Sequence, residues 1–194
     1  PDEIKKIVGD KPKELKIMLP VDDETKVADQ FYRCYSNLRG LLCKGDGETC
    51  TRLINSQTGE QFAARETATT VMKEGIECLG QECEKYKAKK CKEMLMFRFL
   101  MPDVPGFGIW QLNTGSYHGI VELNTSLEMI RTFCGRIHMI PLTLKLVPRD
   151  VVADGKKKTV YIMQGTTDVT LREVQRLGLI PPQRILLPPL DEAD

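Results

Sequence analysis

The stretch from Ser116 to Gly135 reads SYHGIVELNTSLEMIRTFCG, and it decides the fold because it is the strongest helix pattern in the sequence. Its apolar residues recur at steps of three and four positions, which places them on one face of an α-helix. These residues are Ile120, Leu123, Leu127, Ile130 and Cys134. Ser116 is expected to cap the first turn through its hydroxyl, and Gly135 to end the helix at the C′ position.

Four apolar runs flank this helix, two before it and two after it. They are expected to be strands and comprise Leu95–Met101, Ile109–Thr114, Leu142–Val147 and Thr159–Met163. Turn residues join each pair, with Pro105-Gly106 in the first connection and Asp154-Gly155 in the second, so each pair predicts a hairpin. The β-β-α-β-β order predicts an α+β fold in which an antiparallel sheet packs on one main helix.

The composition of the 194-residue chain is typical of a globular protein with one ordinary core. Hydrophobic residues make up 41% of the chain and charged residues 28%, and the formal net charge is +1. This balance excludes a bulk electrostatic attraction to nucleic acid or to a membrane surface. The sequence shows no apolar run of the roughly 18 residues that a membrane span needs, and no signal-peptide pattern. We therefore expect a cytoplasmic location.

Shifts in composition predict four segments along the chain. Residues 1–42 hold an N-terminal strand over Leu15–Leu19 and a connecting segment, and residues 43–94 form a cysteine-rich subdomain. Residues 95–178 form the α+β core, which ends in a short helix from Leu171 to Leu177. Residues 179–194 are rich in proline and are expected to be a tail or linker.

Seven cysteines, an odd number without a secretory signal, favour metal binding over a disulfide framework. Cys78, Cys83 and Cys91 lie in a stretch with few apolar residues and many charged ones. Buried structural cysteines usually lie in apolar sequence, which these do not. Zn²⁺ takes four ligands in a closed tetrahedral structural site, and thiolates suit it. The C-x4-C-x7-C spacing therefore predicts a structural zinc site.

The fourth zinc ligand must come from another part of the chain, where three cysteines are candidates. Cys43 precedes the turn Gly45-Asp46-Gly47, and Cys50 follows it. Cys34 lies near two tyrosines and is expected to be an ordinary buried thiol. Cys134 belongs to the apolar face of the main helix and is assigned to the core. The residues alone leave the choice of the fourth ligand open.

The sequence contains no P-loop, no G-x-S-x-G, no H-E-x-x-H and no G-x-G-x-x-G motif. His118 is expected to lie in the first turn of the main helix and not to act as a catalytic base. The lysines near the cysteines could contact phosphate groups, although a solvated face around a metal site explains them more simply. They are Lys85, Lys87, Lys89 and Lys90.

Four motifs together resemble one known family. They are Cys43-Lys44-Gly45-Asp46-Gly47-Glu48, the spacing Cys78-x4-Cys83-x7-Cys91, the segment Pro105-Gly106-x-Gly108-x-Trp110-x-Leu112-x-Thr114-Gly115-Ser116, and Ile140-Pro141-Leu142-Thr143-Leu144. With these motifs, most of the chain resembles the recombination directionality factors of phages and prophages that use large serine integrases. Some relatives are labelled only as hydrolases or metal-binding proteins. The resemblance implies a structural Zn²⁺ held by Cys43, Cys78, Cys83 and Cys91.

The resemblance also implies a function. Such factors bind a large serine integrase on its attachment sites, at its C-terminal coiled-coil region, and switch it from integration to prophage excision in the bacterial cytoplasm. They do not cut DNA, so the chain is expected to be a regulator and not an enzyme, with no membrane and no small-molecule partner. Two other hypotheses stay open. One is a metal-dependent hydrolase, which needs an open coordination position, and the other is a zinc protein that binds DNA directly.

Overall fold

The structure is a computed structural model that describes residues 2–37, 40–61, 70–106, 108–153 and 155–185. The elements in chain order are α1 (Asp2–Val8), β1 (Glu14–Ile17), α2 (Glu24–Val27), β2 (Ala28–Ser36), β3 (Gly40–Gly45), β4 (Thr49–Asn55), β5 (Thr70–Glu77), α3 (Glu84–Lys87), β6 (Cys91–Phe99), β7 (Trp110–Thr114), α4 (Tyr117–Cys134), β8 (Leu142–Ala153), β9 (Lys156–Thr166) and α5 (Leu171–Leu179). Most of the predicted proline-rich tail and the turn residue Asp154 lie outside the described residues. Within these ranges, no helix has the length and apolar character needed to cross a membrane.

The chain divides into two compact units. The first unit comprises residues 1–28 and 97–194, and the second unit comprises residues 29–96. The predicted cysteine-rich subdomain, residues 43–94, lies within the second unit. The division falls inside β2 and β6, so both strands begin in one unit and end in the other.

The strands form two sheets, which makes the fold α+β. Antiparallel pairing joins β1 to β8, β8 to β9, β2 to β3, β3 to β4 and β4 to β5. One sheet has the order β1-β8-β9, and the other has the order β5-β4-β3-β2-β6-β7. The two predicted hairpins therefore belong to different sheets, and the expectation of one sheet over one main helix is wrong. The physical reason is that β2, rather than β8 or β9, pairs with β6, and the pairing of distant strands is not encoded in local periodicity.

Helix α4 begins and ends where the sequence predicts. The Ser116 hydroxyl accepts a hydrogen bond from the Gly119 N–H at 3.3 Å, and Gly135 follows the helix with φ of 69°. All five apolar residues of the predicted face are buried. Cys134, the last of them, donates its thiol to the Val174 carbonyl at 3.3 Å, which confirms its assignment to the core.

The second predicted hairpin is confirmed and is longer than predicted. β8 pairs antiparallel with β9 from Thr143↔Thr166 to Ala153↔Lys156. β1 pairs with β8 only from Leu142 to Lys145. The predicted first strand ends in two isolated bridges, at Met18 and Leu19, and is stopped by the proline that follows.

Helix α5, which is two residues longer than predicted, is fixed against the end of α4 by Arg136. The guanidinium donates to the carbonyls of Leu177 at 2.9 Å, Gly178 at 3.0 Å and Ile180 at 2.6 Å. These bonds satisfy carbonyls that a helix C-terminus leaves without intrahelical partners. Gly178 packs so closely on α4 that a Cβ built on it would lie 2.7 Å from the carbonyl oxygen of Cys134.

We expect Gly178→Ala to lower the free energy of unfolding of the protein by about 1–3 kcal/mol, because the added methyl group meets backbone atoms that cannot rotate away. Gly108→Ala is the matched control, since a Cβ at Gly108 has no neighbour within 4 Å. Thermal unfolding followed by circular dichroism measures both variants. Equal midpoints for the two would contradict the close packing of α5 on α4.

A candidate metal centre

Six cysteines of the second unit come from six successive segments of the chain. Five of them form one buried cluster, and these are Cys34 on β2, Cys43 on β3, Cys50 on β4, Cys78 after β5, and Cys91 at the start of β6. Cys83, just before α3, is half-buried, and its charge acts on Cys34 and Cys91. The structure therefore brings the four predicted ligands into one neighbourhood, together with Cys34 and Cys50.

Strand register explains why Cys34 lies in this cluster. Cys34 on β2 is the direct partner of Cys43 on β3. Direct partners in an antiparallel pair project to the same face, with Cβ atoms about 4.5–5.5 Å apart. Cys34 is buried, as predicted, but it lies among other thiols rather than in an ordinary apolar core. Gly40, with φ of 72°, starts β3, and an irregularity between Cys34 and Tyr35 shifts the register by one residue so that Cys34 meets Cys43.

The turn between β3 and β4 is organised by Asp46. Its Oδ1 accepts hydrogen bonds from the backbone N–H groups of Thr49 at 2.7 Å and Glu48 at 2.8 Å. These bonds hold the pKa of the Asp46 carboxyl below its usual value. Gly47 has φ of 108°, a conformation that favours glycine. The Cys78 N–H donates to the Glu48 carbonyl at 2.8 Å, which ties the chain after β5 to this turn.

Gly45 lies at the closest approach of three chain segments. A Cβ built on it would be 2.6 Å from the Cβ of Cys50, 2.7 Å from the carbonyl oxygen of Thr49 and 2.8 Å from the Sγ of Cys78. Only glycine fits at position 45, because a side chain there would collide with β4 and with the Cys78 sulfur.

Two tyrosines pack against the cysteine cluster. The rings of Tyr32 and Tyr86 meet edge to face with centroids 5.7 Å apart. The Tyr86 hydroxyl donates to Glu93 Oε1 at 3.2 Å, and Gln81 Nε2 donates to the same oxygen at 3.0 Å. Desolvation, reinforced by the Glu93 carboxylate, raises the pKa of both phenols. The rings and their hydrogen bonds order the chain around α3.

Burial keeps Cys91 and Cys50 in the thiol form when no cation is near. Burial, followed by the charges of neighbouring cysteines, raises the pKa of Cys91 to about 12. Those neighbours are Cys34, Cys43, Cys83 and Cys78. Burial and a hydrogen bond with Cys43 raise the pKa of Cys50 to about 12 as well. A bound divalent cation reverses this preference, because it favours coordinated thiolates.

Arg52 is a buried cation beside the cysteines that the sequence did not reveal. It is 8% exposed, and on β4 it is the register partner of Cys43. Its guanidinium donates to the Glu77 carbonyl at 3.3 Å and to Gln61 Oε1 at 2.5 Å. Burial lowers the pKa of Arg52, but its hydrogen bond with Cys43 and the cysteine charges raise it overall. Arg52 therefore places positive charge next to the sulfurs.

The four lysines singled out in the sequence lie on α3 or in the turn after it. Lys87 forms an ion pair with Glu82 at 2.6 Å, and Lys89 has φ of 57° where α3 ends. Lys85 and Lys90 lower the pKa of Cys34, although burial outweighs them and raises it. Lys85 and Lys90 therefore act on the cluster, and three of the four lysines, Lys87, Lys89 and Lys90, are exposed.

The donor chemistry of the cluster fits Zn²⁺, because zinc accepts four thiolates and the second unit gathers six thiols next to an arginine. Across the ranges that the structure describes, no three His, Cys, Asp or Glu side chains are already arranged to hold a metal ion. Metal binding would therefore require the thiols to reorient toward a common centre. Both histidines lie in the first unit, where His118 is exposed and its ring contacts Tyr117.

A family model described as Gp3-like, recombination directionality factor-like matches residues 1–168. The matched range includes the whole second unit with all six of its cysteines. No curated protein and no solved structure matches the chain. The match confirms the family resemblance seen in the four sequence motifs.

Proposed function

Because the chain belongs to the recombination directionality factor-like family, we propose that it binds a large serine integrase of the same phage and switches that integrase from integration to prophage excision. The family match over residues 1–168 carries this proposal. The chain acts as a regulator, and the integrase performs all cutting and joining of DNA. The contact on the integrase is its C-terminal coiled-coil region, DNA is met mainly through the integrase, and the complex forms in the cytoplasm of the bacterial host.

A regulator redirects a recombinase only by binding one arrangement of the recombinase more tightly than another. Moving an equilibrium from 1:99 to 99:1 takes about 5.5 kcal/mol of differential binding. A surface that must itself become ordered on binding loses part of that energy, so the proposed role calls for a preformed binding surface. A structural metal is one way to preform a small unit such as residues 29–96.

We propose that one structural Zn²⁺ bound by Cys43, Cys78, Cys83 and Cys91 holds the second unit together. The strongest support is the buried cluster, which brings together Cys43, Cys78 and Cys91 from three separate segments of the chain. The metal would join the strand β3, the chain after β5, the start of α3 and the start of β6. A closed site of four sulfurs leaves no position for a reactive water, so the role is structural.

Two further cysteines of the cluster, Cys50 and Cys34, are alternative zinc ligands. Cys50 donates its thiol weakly to the Glu77 carbonyl, at 3.7 Å, and lies against Gly45. Cys34 is the register partner of Cys43 and a neighbour of Cys91. We keep both outside the proposed set, because the resemblance to the recombination directionality factors implies that the cysteine before the Gly45-Asp46-Gly47 turn, Cys43, is the fourth ligand.

Reconstituted recombination tests the proposed function. The purified chain is mixed with the integrase of the same phage and a plasmid that carries the two hybrid prophage-end sites. We expect excision product only when the chain is present, and less integration product when it is added to the phage and bacterial sites. An integrase lacking its nucleophilic serine is the control for recombinase-dependent product. Absence of excision together with absence of a chain–integrase complex in size-exclusion chromatography would refute the proposal.

A further inference from the structure

The β8–β9 hairpin continues past β1 as a two-stranded ribbon. β1 pairs with β8 only as far as Lys145, and the Leu146 N–H donates to the Lys13 carbonyl at 3.1 Å. From there β8 and β9 pair only with each other among the described residues, up to Ala153↔Lys156. We call residues 146–152 and 157–161 the arm.

The arm is open to solvent on both of its faces. All its residues are exposed except Val151 and Val160, which are half-buried. The exposed residues include large apolar ones, with Val152 71% exposed and Tyr161 68% exposed. An isolated two-stranded hairpin is marginally stable in water. Apolar side chains concentrated on such an element indicate a surface that is covered in a complex.

The charge of the arm is mainly positive. The arm contains three cations, Arg149, Lys157 and Lys158, and one described acidic residue, Asp150. The Oδ1 of Asp150 accepts a hydrogen bond from a threonine hydroxyl at 2.8 Å. Arg149 forms an ion pair with Glu122 of α4 at 2.8 Å, which holds the base of the arm on the helix. Among the described residues Lys157 and Lys158 form no ion pair, so they carry the unpaired charge near the tip.

Strand register sets each of these lysines beside an apolar residue. Lys157 is the partner of Val152, and Lys158 is the partner of Val151. Partners share a face of the ribbon, so both faces carry a cation next to a valine. A complementary surface would present apolar side chains with carboxylates at their border.

We propose that the arm is the docking surface for an acidic amphipathic segment of the integrase, an inference that rests on the proposed function. Apolar residues of that segment cover Val152 and Tyr161, and its carboxylates meet Lys157 on the same face of the ribbon. Lys158, on the other face, adds to the positive field around that contact. DNA phosphates would also attract the lysines, but protein–DNA interfaces are more polar and more strongly positive than this arm. The exposed apolar area favours a protein partner.

Binding of the integrase without DNA tests the inference in two arm variants of the full chain. The first is Lys157→Glu with Lys158→Glu, and the second is Val152→Ser with Tyr161→Ser. The matched control is Lys6→Glu with Lys11→Glu, which changes the charge equally at two exposed residues of the first unit. We expect each arm variant to weaken the Kd by about tenfold or more, and the lysine variant also to lose salt dependence. The control should stay within about twofold of the unmodified chain.

Each outcome of this experiment bears on a different statement. If the unmodified chain fails to bind the integrase, the proposed function is wrong and the inference falls with it. If the unmodified chain and both arm variants bind equally, the proposed function stands and the inference is wrong. If the arm variants bind free integrase normally but fail to bind the integrase–DNA complex, the arm contacts DNA and the inference is again wrong. Circular dichroism shows whether each variant folds. If the glutamate variant does not fold, the binding of the serine variant alone decides whether the arm is the docking surface.

Discussion

Cys91→Ser is expected to leave the protein without zinc and to unfold the second unit, whereas the unmodified chain carries about one zinc per molecule. Cys91 is buried at the first residue of β6, in the cluster that also contains Cys43 and Cys78. A structural Zn²⁺ contributes about 10–16 kcal/mol of apparent binding energy in small zinc peptides, which is comparable to the entire stability of an ordinary domain. Loss of the zinc should therefore unfold the whole second unit.

The core of the second unit shows why the metal matters so much. Among its described residues, the buried hydrophobic ones are five cysteines and only three others, Phe31, Leu53 and Leu95. A thiol buries less apolar surface than an aliphatic side chain, so this core supplies little hydrophobic stabilisation on its own. Below about 70–80 residues a single hydrophobic core supplies only a few kcal/mol, and a metal, disulfides or a partner often add to it.

Zinc content by atomic spectroscopy and hydrogen exchange over residues 29–96 measure this prediction. Cys134→Ser is the control. Because Cys134 is buried in the first unit, this variant should retain the zinc of the second unit. Serine variants of Cys43, Cys50 and Cys34 identify the fourth ligand, and only Cys43→Ser should lose zinc. A metal-free unmodified chain would overturn the whole site, and loss of zinc in Cys50→Ser but not in Cys43→Ser would overturn the ligand set.

The first unit could be predicted well from the sequence, because its elements bury aliphatic residues at regular spacing. The face of α4 from Ile120 to Cys134 has helical periodicity and clear capping residues, and the structure confirms it. The hairpin of β8 and β9 was visible from two apolar runs around a turn. What periodicity could not supply was the strand order, because the pairing of β6 with β2 joins residues far apart in the sequence.

The second unit was harder to predict, because its strands bury cysteines and an arginine in place of aliphatic residues. The buried positions of β2, β3 and β4 include Cys34, Cys43 and Arg52. These residues do not produce the alternating apolar pattern by which a strand is recognised in a sequence. One partial signal was available: Asn37 and Gly40 are turn residues between Cys34 and Cys43 and predict a hairpin there. Its regular register would place Cys34 opposite Leu42, and a shift of one residue between Cys34 and Tyr35 brings Cys43 opposite instead. The position of Arg52 had no comparable signal, because it depends on the register of a third strand.

Gly45→Ala is expected to weaken zinc binding by about 5- to 150-fold, because the methyl group cannot be accommodated in the folded, metal-loaded unit. The added Cβ would meet the Cys50 Cβ, the Thr49 carbonyl oxygen and the Cys78 Sγ, all at less than 3 Å. Overpacking of this kind costs about 1–3 kcal/mol, and since folding and metal binding are coupled here, the cost appears as lost zinc affinity. Competition with a chromophoric chelator measures the change in Kd for zinc.

The matched control for Gly45→Ala is again Gly108→Ala, which adds the same methyl group where nothing lies within 4 Å and should leave the zinc affinity unchanged. The comparison separates the contact at the cysteines from the general effect of replacing glycine on the unfolded chain. If Gly45→Ala binds zinc as tightly as the control, Cys78 and the β3–β4 turn do not close around the metal together. The close packing of Gly45 against Cys50 and Cys78 would then not be part of the metal-loaded unit.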